Sequence, residues 1–284
     1  MQSALRYFYV LPLITFFAII NGFNAVSQTL RYNVSLPYVG LSAYNNSNKD
    51  AFSFTGNQAA LATISTSGIG VYGERRFILN ENSVYGLAAA IATNKGNFGI
   101  QLNYAGFSGF NEHKLGLAYA RSLGKLIDVG VQFNYYGYRI PQYGNATAVN
   151  VEMGVLLHFT NKLTGGIHVY NPVAAKLGKE QDEKLASAYK FGLGYEASEN
   201  FTVSAEIVKE EDRNVNVTGG IQYQFMKQLF ARVGFISDTG SGFAGIGLGW
   251  KNYRLDVSGS YHPQLGFSPG LLFLVNFKKA ENVL

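Results

Sequence analysis

Residues 214–235 read NVNVTGGIQYQFMKQLFARVGF. Val215, Val217, Ile221, Tyr223 and Phe225 share one parity, while Asn214, Asn216, Thr218, Gln222 and Gln224 share the other. After Met226-Lys227-Gln228 the alternation resumes, with Leu229, Ala231, Val233 and Phe235 on one face and Arg232 and Gly234 on the other. Alternation of this length describes a β-hairpin with one apolar and one wet face. The apolar face can meet a protein core or lipid. A membrane barrel follows if the unit repeats along the chain, with short and long connections taking turns.

The unit does repeat. Alternating segments follow one another over 67–77, 84–94, 98–107, 114–122, 127–139, 148–160, 163–171, 188–197, 201–210, 214–225, 229–237, 243–250, 253–262 and 268–278, which makes fourteen. Each is close to the ~9–11 residues that cross a bilayer when tilted. Every second connection is a tight turn: Lys95-Gly96-Asn97, Gly124-Lys125, Asn161-Lys162, Ser198-Glu199-Asn200, Met226-Lys227-Gln228 and Lys251-Asn252. The intervening connections are expected to be longer, at 109–113, 141–147, 172–187, 238–242 and 263–267, with 80–82 and 211–213 as tight exceptions. Phe98, Phe159, Tyr195, Phe201, Phe225, Trp250, Tyr253 and Phe277 fall beside the tight turns, where an aromatic girdle at one lipid headgroup level would place them. A soluble β-sandwich would also alternate, but its outer face would be rich in Lys, Glu and Thr. Here the polar parity is Gly, Ala, Ser, Asn and Gln, as in Gly86/Ala88/Ala90/Ala92 and Gly245/Gly247/Gly249. Small residues on an enclosed face leave room for something inside. The expected fold is all-β: a transmembrane antiparallel barrel of about 14 strands in the cell outer membrane, with lipid as its first partner.

Composition agrees. The 284 residues include 33 Gly, 19 Tyr and 21 Phe, with 14% charged residues, a net charge of +5 and no cysteine. Disulfides and thiolate metal sites are thereby excluded. No dense basic stripe marks a nucleic-acid surface. Residues 1–27 read as a cleaved signal peptide for export: Arg6, an apolar run from Phe8 to Ile20, then Ala25-Val26-Ser27. That run is short of the ~20 residues a spanning helix needs. Residues 28–65 are irregular and too few for a core of their own, so they are expected to pack as an N-terminal hatch in the lumen of the barrel formed by 66–284.

Residues 50–62, DAFSFTGNQAALA, resemble the N-terminal hatch of FadL-like outer-membrane proteins and their PorV and PorQ relatives in Bacteroidota. The family carries Asn-Pro-Ala-Ala-Leu-Ala there; this chain has Asn57, Ala59, Ala60, Leu61 and Ala62, with Gln58 in the place of the proline. Residues 260–266, SYHPQLG, are similar to the penultimate strand and loop of the PorV and PorQ type. The resemblance implies two different jobs, and both stay open at this point. One is binding or passing a hydrophobic or amphipathic small molecule across the outer membrane. The other is an accessory or scaffold role with a type IX secretion system or surface-attachment protein as partner.

Candidate chemistry is sparse. His158 and His168 lie on consecutive strands with inward parity, but no third metal ligand stands at workable spacing. Ser258, Ser260 and His262 share a strand face, which sets them side by side rather than in nucleophile–base contact, and no G-x-S-x-G elbow occurs. No catalytic residue, metal or cofactor is expected, so the chain is not read as an enzyme. Glu152, Glu206, Arg232, Arg254 and Asp256 fall on the lumen face and, with Asn57, are the candidate contacts. They can pin the hatch, or line a path for a substrate carboxylate with Arg232 or Arg254 as its partner. Residues 176–184, KLGKEQDEK, read as a charged external loop, either a solvated tip or a partner surface.

Overall fold

The computed structural model describes residues 40–46, 49–142, 144–177, 184–211 and 213–277. The signal-peptide reading and the first part of the hatch lie outside them. Fourteen strands form one closed antiparallel barrel. They are β1 (Gly68–Arg75), β2 (Ser83–Ile91), β3 (Asn97–Phe107), β4 (Phe110–Leu123), β5 (Ile127–Ile140), β6 (Gly144–His158), β7 (Leu163–Tyr170), β8 (Ala188–Ser198), β9 (Phe201–Glu210), β10 (Asn216–Met226), β11 (Leu229–Ile236), β12 (Ser241–Trp250), β13 (Tyr253–His262) and β14 (Gly266–Asn276). Each strand pairs with its sequence neighbour, and β1 closes onto β14 from Gly68↔Asn276 to Glu74↔Gly270. No helix among the described residues is long and apolar enough to cross a membrane. The strands do the crossing, and closure leaves no edge with unpaired backbone groups to face lipid.

The two parities separate as the alternation requires. On β5 and β6, Phe133 is 62% exposed and Val149 66%, while their neighbours Asn134 and Asn150 are 1% and 3% exposed. An apolar exterior around a polar interior inverts the order of a soluble sandwich and belongs to a barrel solvated by lipid. In the opening hairpin, β10 and β11 pair from Thr218↔Ile236 to Met226↔Leu229, with a bulge between Gln224 and Met226. Ile221, Tyr223, Phe225, Val233 and Phe235 point outward, and Arg232 is buried inside. The tight-turn rim carries exposed Phe98, Phe159, Tyr195, Phe225, Trp250, Tyr253 and Phe277, with Phe201 half-buried among them.

One expectation about the connections needs correction. The loops foreseen at 109–113, 141–147, 238–242 and 263–267 are short turns at 108–109, 141–143, 237–240 and 263–265. Strand pairing continues where hydrophobic alternation fades, as at Asn111↔Arg139 and Arg139↔Asn145. Beyond the lipid an outward side chain no longer needs to be apolar, yet the backbone ladder still profits from pairing. The foreseen tight turn at 80–82 belongs to a longer connection, 76–82, and on this rim 171–187 is longer still.

Residues 40–46 and 49–66 run through the lumen and carry three short 3-10 helices, Ser42–Tyr44, Ser53–Thr55 and Gln58–Thr63. Ala43, Phe54, Ala59, Ala60 and Leu61 are fully enclosed. The wall makes room for them with glycine. A Cβ at Gly130 on β5 would meet the Gln58 carbonyl carbon, and one at Gly194 on β8 would meet the Tyr44 carbonyl oxygen. Both obstacles are backbone, so neither can swing aside.

Two outcomes follow. The folded chain is expected to migrate faster on a gel when loaded unboiled than after boiling; recovery with the soluble periplasm would overturn the fold. Gly194→Val should lower the temperature at which that fast form is lost, by the equivalent of about 1–3 kcal/mol of overpacking, whereas Gly242→Ala, whose Cβ would meet nothing nearer than 3.8 Å, should leave the seating of the hatch intact.

Candidate functional site

The candidate site is the contact between this inner segment and the wall. Its middle is Glu152, which β6 points inward at 1% exposure. One carboxylate oxygen accepts from Lys114 of β4 and from Asn134 Nδ2 of β5 at 2.9 Å. The other accepts from Gln58 Nε2 of the hatch at 2.5 Å and lies 3.1 Å from His168 Nε2 of β7. A buried carboxylate persists when its lone pairs are filled by cations and amide donors, and here they are. Gln58, at the position held by proline in the resembling hatches, begins the third 3-10 helix and supplies the hatch's share of that shell. Proline suits a first helical position because it needs no donor there. Glutamine keeps the backbone path and adds a side-chain donor.

Around this hub the hatch is held at several points. Asn57 caps the same helix by accepting from Ala59 N at 3.0 Å and donates to the Ile167 carbonyl of β7 at 3.1 Å. Tyr44 donates its hydroxyl to Glu206 of β9 at 2.7 Å. Burial, with the Glu206 charge beside it, pushes the Tyr44 hydroxyl well above its ordinary value, so it remains a donor. Lys190 of β8 stands 3.7 Å from the other Glu206 oxygen. Asn97 of β3 donates to the carbonyls of Leu61 at 2.7 Å and Ile64 at 2.8 Å, fixing the exit of the hatch.

The third anchor is Asp50. Its carboxylate meets Arg254 Nη1 of β13 at 2.8 Å. Arg254 also grips Asp256 through two nitrogens, at 2.8 and 2.7 Å, and Arg232 reaches Asp256 at 3.1 Å and Gln222 at 2.6 Å. Phe230 lies under both guanidiniums, 4.5 Å from Arg232 Cζ and 5.2 Å from Arg254 Cζ. A desolvated cation over a ring face adds to such a cluster. The opposite side of the hatch is apolar: Phe52 packs edge-on against Tyr72, and Phe54, Leu61, Phe243, Leu272 and Leu274 complete that cluster. The lumen is therefore uneven: charged from β4 round to β9 and again at β11 and β13, and apolar along the adjacent β14, β1 and β2, with Phe243 of β12 beyond β13.

Of the six residues named from sequence, Asn57, Glu152, Glu206 and Arg254 touch across the hatch–wall boundary, and Arg232 and Asp256 brace Arg254. They form two clusters rather than one. Both arginines are already paired with carboxylates. Lys114 and Lys190 escaped the sequence reading although their inward parity was legible; Tyr44, Asp50 and Gln58 sit in the irregular segment and gave no periodic signal. His158 and His168 do not converge on a metal: His158 pairs with Asp128 at 2.7 Å and His168 with Glu152. No group of three potential metal ligands occurs among the described residues. Cavities around the hatch are of unequal size. One of about 30 Å³ sits between Leu41, Phe243, Gln222 and Arg232, whereas spaces of about 510 Å³ and 370 Å³ lie at the tight-turn rim beside Ile64–Ser67 and beside Asp128 and His158.

Closed strand number, inner N-terminal segment and rim asymmetry can be compared with known structures. The P. putida toluene transporter TodX superposes with a TM-score of 0.62 at 9% identity, covering 82% of this chain and 95% of TodX. The monoaromatic hydrocarbon channel CymD gives 0.60 at 11% identity, covering 82% and 94%. A Pseudomonas aeruginosa FadL homologue gives 0.59 at 10%, covering 84% and 95%. The chain shares its fold with these three proteins. No family profile and no curated protein sequence matches the chain, so the likeness is one of fold.

Glu152→Leu should lower stability by about 3–5 kcal/mol, because Lys114 is left charged and unpaired in the interior. Joint replacement of Lys114 by Met and Glu152 by Leu should recover most of that loss. The measurement is the midpoint for loss of the fast-migrating form; equal midpoints for the single and double variants would remove Glu152 from its place as hub.

Proposed function

We propose that the chain is a non-enzymatic outer-membrane channel that binds or passes a small hydrophobic or amphipathic molecule, held closed in this conformation by its hatch. The observation that carries this is the likeness in fold to TodX, CymD and a FadL homologue over most of both chains. The greasy strip along β14, β1 and β2 offers the path, and Asp50–Arg254, Gln58–Glu152 and Tyr44–Glu206 act as latches that must yield for passage. In this reading residues 28–65 are the moving part and 66–284 the frame, delivered to the outer membrane by the signal peptide 1–27.

A second reading is a scaffold for a secretion or surface-attachment complex, of the PorV or PorQ type that serves type IX secretion. One observation favours it: beside the hatch, between Leu41, Phe243 and Arg232, the free space is only about 30 Å³, less than a hydrocarbon needs. A barrel that is filled for good suits a scaffold, and one that is filled reversibly suits a channel.

Uptake of N-phenyl-1-naphthylamine by intact cells with a lipopolysaccharide outer leaflet separates the two. The chain should raise the uptake rate above that of an empty vector. Asp50→Ala should raise it further, by about tenfold for the loss of roughly 1.4 kcal/mol of latch energy. Rates equal to the empty vector for both forms, with an envelope protein recovered on pull-down, would replace the channel with the scaffold.

A further inference from the structure

Lysine recurs in the tight turns of one rim. Of the six turns there, five hold one: Lys95 between β2 and β3, Lys125 between β4 and β5, Lys162 between β6 and β7, Lys227 between β10 and β11, and Lys251 between β12 and β13. The turn between β8 and β9 has Glu199 instead. All five lysines are exposed, as is Arg121 at the end of β4 on the same rim. Among the described residues, none of these six cations stands within ion-pair distance of a carboxylate. The opposite rim is built differently. Its long connection, 171–187, mixes Lys176, Lys179 and Lys184 with Glu180, Asp182 and Glu183, while Leu177 and Leu185 are fully buried against Val84, Ala105 and Tyr136. The other connections of that rim hold no lysine. Lysine in a tight turn is thus a mark of one rim alone.

Each lysine stands just beyond the lipid-facing band. Beside the five, within three residues, lie Phe98, Leu126, Phe159, Met226 and Trp250, all of them exposed. The backbone of the turns is tied down. The Tyr119 hydroxyl donates to the Lys95 carbonyl at 2.8 Å, and Gln224 Nε2 donates to the Lys227 carbonyl at 3.2 Å. Gly249 N donates to the Gln228 carbonyl at 2.7 Å, which joins the Lys227 turn to the strand that leads into the Lys251 turn. Lys251 Nζ lies 5.4 Å from the centre of the Trp250 ring. A lysine so placed rests its stem against apolar surface and carries its ammonium at the level of lipid headgroups. The lumen side of the same rim has the other sign: Asp128 pairs with His158 at 2.7 Å, and Glu196 accepts from Asn46 N at 2.5 Å.

We propose that this lysine collar is a docking surface for anionic phospholipids, singly negative phosphodiesters such as phosphatidylglycerol, in the leaflet that the tight turns border. The class of partner follows from where the cations stand. They follow the perimeter of the apolar band, each next to an exposed apolar side chain, so one lipid meets both: its phosphate the ammonium, its acyl chains the neighbour. An acidic protein docked across the mouth would find Asp128 and Glu196 beneath it. Lys227 and Lys251, on adjacent turns with Trp250 between them, make the most defined stretch of the collar, and Glu199 marks a gap in it. A lysine close to an anionic bilayer surface contributes about fivefold in affinity, which is about 1 kcal/mol. The collar is independent of the hatch, so it serves a channel and a scaffold alike.

Trp250 is the only tryptophan in the chain and is 67% exposed, so its fluorescence reports the lipid at this stretch of the rim. The chain purified from membranes is reconstituted in phosphatidylcholine bilayers that contain phosphatidylglycerol or phosphatidylethanolamine, each brominated in its acyl chains. Brominated phosphatidylglycerol should quench Trp250 at about a fivefold lower fraction than brominated phosphatidylethanolamine, and the preference should shrink in high salt. Lys227→Gln with Lys251→Gln should abolish it, whereas Lys227→Arg with Lys251→Arg should keep it. Lys125→Gln, on a distant turn, should leave it unchanged. Because the two lipids are compared within each variant, a change in Trp250 emission on removal of Lys251 cancels. Gel migration reports folding; if the glutamine pair disturbs it, the native chain with and without salt decides. Equal quenching by the two lipids in the native chain would overturn the proposal, and a preference kept by the folded glutamine pair would overturn the lysines as its source. Equal quenching together with an acidic envelope protein that the native chain retains, and a chain with all five lysines changed to glutamine does not, would assign the collar to a protein.

Discussion

Lipid offers no hydrogen bonds, so every backbone group in contact with it must find a partner within the protein. That constraint closes β1 onto β14, and closure brings a second problem. A ring of eight strands is filled by its own side chains, whereas fourteen enclose more space than side chains can fill. The surplus must hold water or protein. Here protein takes it: residues 40–46 and 49–66 from the tight-turn rim, and Leu177 and Leu185 from the other. Glycine and alanine on the inward parity follow from this, since a larger wall residue would collide with backbone that has no other place to go.

The material that fills the lumen is held by charge where it could have been held by grease. Glu152 with Lys114 and His168, Glu206 with Lys190, and Asp50 with Arg254 and Asp256 are buried ion pairs, which contribute little net stability because each charge gives up its hydration. What they supply is register. A hydrophobic plug can settle in many rotations inside a ring, whereas an aspartate that must meet Arg254 while a glutamine meets Glu152 has one. The apolar strip along β14, β1 and β2 then adds stability without choosing the orientation. This division places the polar contacts at the positions that must break if the hatch is to move.

The fold was legible because lipid and lumen impose period two on every strand, as in Val149/Val151/Met153/Val155 against Asn150/Glu152. Strand ends were less so. At Asn111–His113 and Asn145–Thr147 the outward residues leave the lipid and the pattern stops, although pairing does not. Five of the six candidate residues came from the same parity, since a charge on the inward face has few reasons to be there. Gln58 was visible only as a departure from the resembling hatches, and its bond to Glu152 joins residues far apart in sequence. Tyr44 and Asp50 stand in a segment without periodicity, and Leu177 and Leu185 are embedded in lysines; in both cases burial comes from tertiary packing that local pattern does not encode.

The hatch is the first described part of the chain, yet its partners are dispersed: Asn97 on β3, Glu152 on β6, Ile167 on β7, Glu206 on β9 and Arg254 on β13. Nothing can receive it until most of the strands exist side by side. Contacts of such sequence separation form late, because loop-closure entropy has to be met before they contribute. A segment made before every strand is therefore seated last, and the ring must close around a passenger whose docking points are still being assembled. Barrel closure and hatch docking become one event, and the order of residues in the chain runs opposite to the order in which the interior is completed.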